Sequence, residues 1–271
     1  MFKIALCQMM GSSKSDCSEN KNENYITAVK MIAEAASNGA KIVCLPEIWN
    51  CPYSNKYFAE YAETAEGITV QKMSLWAKEN DIYLIGGSIP EKTDDGKIYN
   101  TCFVFDRNGE IIARHRKYHL FDVDIEGGIK FKESSTFTAG DSLTVFDTEY
   151  GKVGVAICFD VRFSEVFKRM ALDGAKLIFL PAAFNMTTGP AHWDITMRMR
   201  AVDNQVYFAA CSPARNEDGV YVAYGNSCVA DPWGTFVAHA SEKEEIIYAD
   251  IDFNYVDAIR RQLPILINSG K

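Results

Sequence analysis

The chain has no apolar run of the roughly 18 residues that a membrane-spanning helix needs. Its opening, MFKIALCQMM, reads as a first strand rather than a secretory signal. There is no run of like charges and no basic stripe interleaved with aromatics, and the formal net charge is -8. Nucleic acid and anionic membranes are therefore disfavoured as partners. The eight cysteines are scattered, with no C-x-x-C pair. That pattern disfavours disulfides and zinc and leads us to expect reduced thiols and a cytoplasmic location. Also missing are a G-x-S-x-G elbow, a phosphate-binding G-x-x-x-x-G-K-[ST] loop, a G-x-G-x-x-G turn after a strand and an H-E-x-x-H pair. Histidines number four, His115, His119, His192 and His239. A Cys–His dyad could draw on His119 or His192, but His192 lies in the first turn of an expected helix beside Trp193 and reads more simply as a packing residue. Asn185-Met186-Thr187 fits a glycosylation acceptor pattern, which carries little weight without a secretory signal.

What is present suits a soluble globular protein. With 271 residues, 48% of them hydrophobic and 24% charged, the chain can bury a large core as one unit or two merged halves. Its centre is the stretch 151–163, GKVGVAICFDVRF. Residues 153–158 form a short apolar run suited to a strand buried on both faces. From Arg162 the apolar residues Phe163, Val166, Phe167, Met170 and Ala171 follow helical spacing, with Gly174 as the stop. Cys158 thus stands where a buried strand gives way to a helix, whose N-terminal partial charge would favour a thiolate.

Around that centre we expect strands at 2–8, 41–45, 82–89, 99–106, 111–116, 143–147, 176–180, 206–211, 221–230, 235–239 and 245–251. Helices are expected at 24–37, 70–80 and 190–204 and from 252, with irregular chain after Pro264. The turn Arg107-Asn108-Gly109-Glu110 marks an antiparallel hairpin. Residues 119–140 lack sustained periodicity and read as a long surface loop, of the kind that often carries function. Residues 39–50 (GAKIVCLPEIWN) resemble residues 174–185 (GAKLIFLPAAFN), and each follows a strand and an amphipathic helix. Two β-α-β units that end alike suggest two facing sheets with helices outside, related by a pseudo-two-fold axis. The first copy has Glu47 after its proline and the second has Ala182. The turn therefore does not itself demand a carboxylate, and Glu47 points to chemistry.

The candidate groups each have a plainer reading. Glu47 is either a surface carboxylate at a turn or, with apolar flanks in LPEIW, a proton acceptor at a strand end. Lys117, in RHRKYH, is either part of a solvated basic turn or a cation able to stabilise an oxyanion. Arg162 either pairs with Asp160 or Glu165 or offers a bidentate fork to a carboxylate. Glu133 alone is an ordinary loop glutamate.

Leu45-Pro46-Glu47, His115-Arg116-Lys117 and the run from Val155 to Phe163 around Cys158, in that order and over more than a hundred residues, resemble the nitrilase superfamily of carbon–nitrogen hydrolases. The resemblance implies a single domain over 1–271, folded as a four-layer α-β-β-α sandwich. It implies Cys158 as nucleophile, Glu47 as base, Lys117 as oxyanion cation and Glu133 as a second carboxylate. It also implies no metal or organic cofactor, and a homodimer. Asn50-Cys51-Pro52-Tyr53, the stretch 83–90, 117–122, 184–193 and 200–205 look most like ω-amidases, with Phe159 standing where tyrosine is more usual. That likeness implies a small amide substrate with a free carboxylate, such as α-ketoglutaramate, α-ketosuccinamate or succinamate, hydrolysed through a cysteine thioester. It assigns the carboxylate to Arg162, with Tyr53 and Phe184 lining the pocket. Another amidase, an N-carbamoyl hydrolase or a silent binding protein on the same fold are the alternatives.

Overall fold

The computed structural model describes residues 1–268. Two sheets form its centre. The first has the strand order Glu245–Ile251, Phe2–Gln8, Ala40–Cys44, Tyr83–Ile85, Ile98–Phe105, Ile89–Lys92, with Ile111–Arg116 also paired to Ile98–Phe105. The second runs Phe236–His239, Cys228–Ala230, Tyr207–Cys211, Leu177–Pro181, Gly151–Val155, Thr144–Thr148. In each sheet three neighbouring strands are parallel, and helices join them.

Side chains alternate across a strand, and the apolar content of these strands occupies both faces. Ile4, Leu6, Ile42 and Cys44 join a core with Val153, Val155, Leu177 and Phe179 of the second sheet. Their neighbours Ala5, Cys7, Val43 and Leu45 join another with Ile32 and Trp76 from the helices Cys17–Ser37 and Ile68–Glu79. On the outer side of the second sheet, Phe208 meets Phe167 of the helix Ser164–Leu172 edge to face, with 5.3 Å between ring centroids. The layers are therefore helix, sheet, sheet, helix, the expected α-β-β-α sandwich. The carboxyl ends of the parallel strands open the segments that hold Glu47, Cys158 and Ala183, the crevice position where open α/β sheets place ligands. Among the described residues no helix is long and apolar enough to cross a membrane.

Several local expectations are corrected. The first helix starts at Cys17, not residue 24, capped by the Asp16 carboxylate on Glu19 N at 3.0 Å. Its added turns bury Asn20, whose amide donates to Ser12 O and Lys14 O, so an apolar pattern could not reveal them. The expected strand 82–89 is two strands, Tyr83–Ile85 and Ile89–Lys92. Between them Gly87 takes φ +65°, and a Cβ there would lie 2.2 Å from Pro46 O. The seven-residue helix Asn55–Tyr61 is too short to show a period. Only Cys228–Ala230 of the expected strand 221–230 is extended in a sheet. Residues 119–140 hold a small hairpin, Asp122–Asp124 with Lys130–Lys132, and a 3-10 turn, Glu133–Ser135, whose Glu133 is fully buried. After Pro264 a short helix, Ile265–Asn268, follows.

Candidate active site

The strand Gly151–Val155 ends, Ala156 N still reaches Phe179 O at 3.1 Å, and the chain then turns sharply. Cys158 adopts φ +42°, a left-handed conformation uncommon for any residue but glycine and characteristic of functional turns. It opens the 3-10 turn Cys158–Arg162, and the main helix starts only at Ser164. Burial and the Glu47 charge push the Cys158 thiol well above the usual range, against Lys117 and the Ala183 N–H. The helix N-terminus expected beside Cys158 is thus corrected to a 3-10 turn. Desolvation disfavours the charged form of a thiol buried in this way.

Glu47 follows Pro46 past the strand Ala40–Cys44, in a loop held where Ile48 N donates to Ser88 Oγ at 3.0 Å. Lys117 follows the strand Ile111–Arg116, with its N–H on Asn100 O at 2.8 Å. Neither is on the surface: Glu47 is 1% exposed, while Lys117 and Glu133 are wholly buried. Lys117 Nζ lies 2.9 Å from Glu47 Oε1 and 2.8 Å from Glu133 Oε2. Glu47 Oε2 accepts from Ala183 N at 2.9 Å, and Glu133 Oε2 from Phe121 N at 2.6 Å. Burial alone would lower the Lys117 pKa, but Glu133 and Glu47 drive it well up, so the ammonium persists. Burial and Glu47 raise Glu133 despite Lys117. Two acidic side chains and one ammonium thus stand beside the thiol. Such a set can accept a proton from sulfur while keeping a cation for developing negative charge.

Sequence reasoning missed three members of this constellation. Asn100 Nδ2 donates to Glu47 Oε1 at 2.9 Å and to Glu133 Oε1 at 3.1 Å, bridging the two acids. Its signal was an asparagine inside the mostly apolar, buried strand Ile98–Phe105. The Tyr221 hydroxyl donates to Ala183 O at 2.6 Å, fixing the segment whose N–H holds Glu47. Asp160 ties Ile157 N to His115 and His119. For Tyr221 and Asp160 no local pattern pointed to these partners.

Tyr53 is buried with its hydroxyl 3.4 Å from Glu47 Oε1, and its ring lies 4.6 Å from that of Tyr221. A cavity of about 260 Å³ opens against Glu47, Tyr53, Tyr221 and Ala183; Cys158 and Arg162 do not line it. The half-buried Arg162 guanidinium sits 4.8 Å from the Phe184 ring centroid. It pairs with neither Asp160 nor Glu165, and no ion pair of the described residues includes it. Burial lowers its pKa, with Cys158 acting in the opposite sense. The structure thus brings Glu47, Lys117, Glu133, Cys158 and Tyr53 together, and places Arg162 with Phe184 at the side of Cys158. Among the described residues no three His, Cys, Asp or Glu side chains form a group that could hold a metal ion.

The chain belongs to the carbon–nitrogen hydrolase family, whose model matches residues 3–261, and it is an amidohydrolase acting on carbon–nitrogen bonds. It is 52% identical over 264 residues to the omega-amidase NIT2 of Xenopus tropicalis, covering 97% of this chain and 93% of that one. Identity and coverage are the same for the human omega-amidase NIT2. Among solved structures, Saccharomyces cerevisiae Nit3, a member of branch 10 of the nitrilase superfamily, is similar with a TM-score of 0.88 and 43% identity, over 97% of this chain and 94% of that one.

Proposed function

We propose that this protein is an ω-amidase, releasing ammonia from the terminal amide of dicarboxylic acid monoamides such as α-ketoglutaramate, α-ketosuccinamate and succinamate. The observation that carries the reading is Arg162. A half-buried guanidinium four residues past Cys158, with an aromatic face beneath it and no acidic partner among the described residues, suits a substrate that brings its own carboxylate. The identity to omega-amidases supports the same choice.

In this reading Glu47 takes the thiol proton as Cys158 attacks the amide carbon. Lys117, with a backbone N–H near Cys158, holds the tetrahedral oxyanion. Collapse breaks the carbon–nitrogen bond, and Glu47 returns the proton to the departing ammonia. The acyl group stays on Cys158 as a thioester until Glu47 activates a water to hydrolyse it. Glu133 orients Lys117 from the far side, and Tyr53 and Phe184 line the substrate pocket. The chain works as one carbon–nitrogen hydrolase domain over 1–271, as a cytoplasmic homodimer. Its eight free cysteines fit a reducing compartment. A monomeric mass in solution would overturn the dimer.

The test is ammonia release from succinamate and α-ketoglutaramate, set against N-carbamoyl amines, for wild type and Cys158→Ala. We expect preference for the monoamides and a loss of about 10⁴-fold or more in the variant. Faster turnover of carbamoyl substrates overturns the substrate assignment and leaves the nucleophile standing. Activity that survives Cys158→Ala overturns the mechanism.

A further inference from the structure

We propose that Asp160 is a positioning residue for the reaction, a single buried carboxylate that locks the turn carrying the nucleophile to the turn carrying the cation. The inference rests on reading Cys158 as nucleophile and Lys117 as oxyanion cation. Asp160 lies two residues past Cys158 and is wholly buried. Its Oδ2 accepts from Ile157 N at 3.0 Å and lies 3.2 Å from His115 Nε2. Its Oδ1 accepts from His119 N at 2.7 Å and lies 3.0 Å from His119 Nδ1. Ile157 immediately precedes the nucleophile, while His115 and His119 stand two residues before and after Lys117. The four contacts therefore divide between the peptide that presents sulfur and the segment that presents the ammonium.

The surroundings show why a carboxylate is needed there. Ile157 N–H is buried just before a residue at φ +42°, and a left-handed cysteine stays in place only when its neighbours hold the turn. The two halves of the clamp are separately anchored. His115 Nδ1 lies 3.0 Å from Thr144 Oγ1 on the second sheet, and the His119 ring stacks on Phe163 with 3.5 Å between centroids and 9° between planes. Burial would raise the carboxyl pKa, but the bonds from His115, His119 and Ile157 N–H hold it well below the usual range. The group therefore stays an ionised four-way acceptor at neutral pH. Arg162 and Glu165 take no part.

The test is steady-state hydrolysis of succinamate by full-length Asp160→Asn and His119→Phe, with thermal melts and Cys158→Ala alongside. An asparagine has one acceptor oxygen where the carboxylate has two, so one side of the clamp opens. We expect kcat to fall about 100-fold in Asp160→Asn with KM within twofold of wild type, the signature of lost transition-state geometry. His119→Phe keeps the stack on Phe163 and the backbone N–H and removes only the ring contact, so kcat should fall about threefold with KM unchanged. A folded Asp160→Asn with wild-type kcat, or losses that appear only in KM, overturns the proposal. If Asp160→Asn does not fold, His119→Phe decides, and a wild-type kcat there overturns it. Ammonia release by Cys158→Ala would instead remove the nucleophile assignment beneath the proposal, and the proposal with it.

Discussion

The two β-α-β-α-β halves leave their second strands in the same way and put different chemistry there. In the first half Leu45 N bonds Ile85 O and the chain passes Pro46 to Glu47; in the second, Ala182 N bonds Cys211 O directly after Pro181. The first exit presents a carboxylate and the second an alanine, yet they meet, because Ala183 N–H holds Glu47 Oε2 at 2.9 Å. The first strands differ in the opposite sense. The one in the second half leads to Cys158, and the one in the first leads to Gln8, which spans the halves by donating to Ser241 O and Lys243 O. A repeated scaffold thus supplies equivalent strand ends, and each half fills only some of them with reactive groups. The site exists only where the halves face each other.

That division can be broken from either side. The largest effect should come from Glu47→Ala, which makes the first exit like the second. The kcat for amide hydrolysis should fall about 10²–10⁴-fold, and a variant within threefold of wild type would move the base elsewhere. Next, Lys117→Met leaves Glu47 and Glu133 buried without their cation, at a cost of about 3–5 kcal/mol. A thermal melt should show Tm lower by roughly 6–20 °C, and an unchanged Tm would show that the acids are neutral without Lys117. From the second half, Arg162→Lys keeps the charge and loses the fork. KM for succinamate should rise about tenfold, with a neutral amide within twofold, and equal shifts for both would count against a carboxylate role.

The smallest effect is a pH dependence seated in the first half. Burial would raise the Glu91 pKa, but Arg116 and Thr101 hold it below the usual value. A carboxyl whose folded pKa is depressed adds stability above its unfolded pKa, near about 4.3, and loses it as pH falls through the folded pKa. The stability gap between wild type and Glu91→Gln in urea should be greatest above pH ~5 and should narrow on acidification. A gap that widens in acid would reverse the assignment.

Much of this was legible locally. Apolar runs located most sheet strands, and the echo between 39–50 and 174–185 placed the two exits that meet. Three motif ends gave Glu47, Lys117 and Cys158, and the structure puts the two charged ones in one ion-paired cluster with Glu133 and near the thiol. Glu133 could not be found this way, because its burial depends on a hairpin whose six strand residues carry no apolar period. Asn100 and Tyr221 act through partners 33 and more residues away. Hydrogen bonds over such separations leave no spacing rule in the chain.

The sequence by itself determined the layers and the reactive residue types, since strand period, helical spacing and proline-terminated runs are properties of neighbours. Tertiary structure alone decided their state. It pushed the Cys158 thiol pKa up by burial, kept Lys117 charged between two acids, left Arg162 without an acidic partner among the described residues and gave Asp160 to the histidines that flank Lys117. The physical reason is that charge state depends on desolvation and on partners within a few ångströms, and both are fixed only when distant segments close on one another.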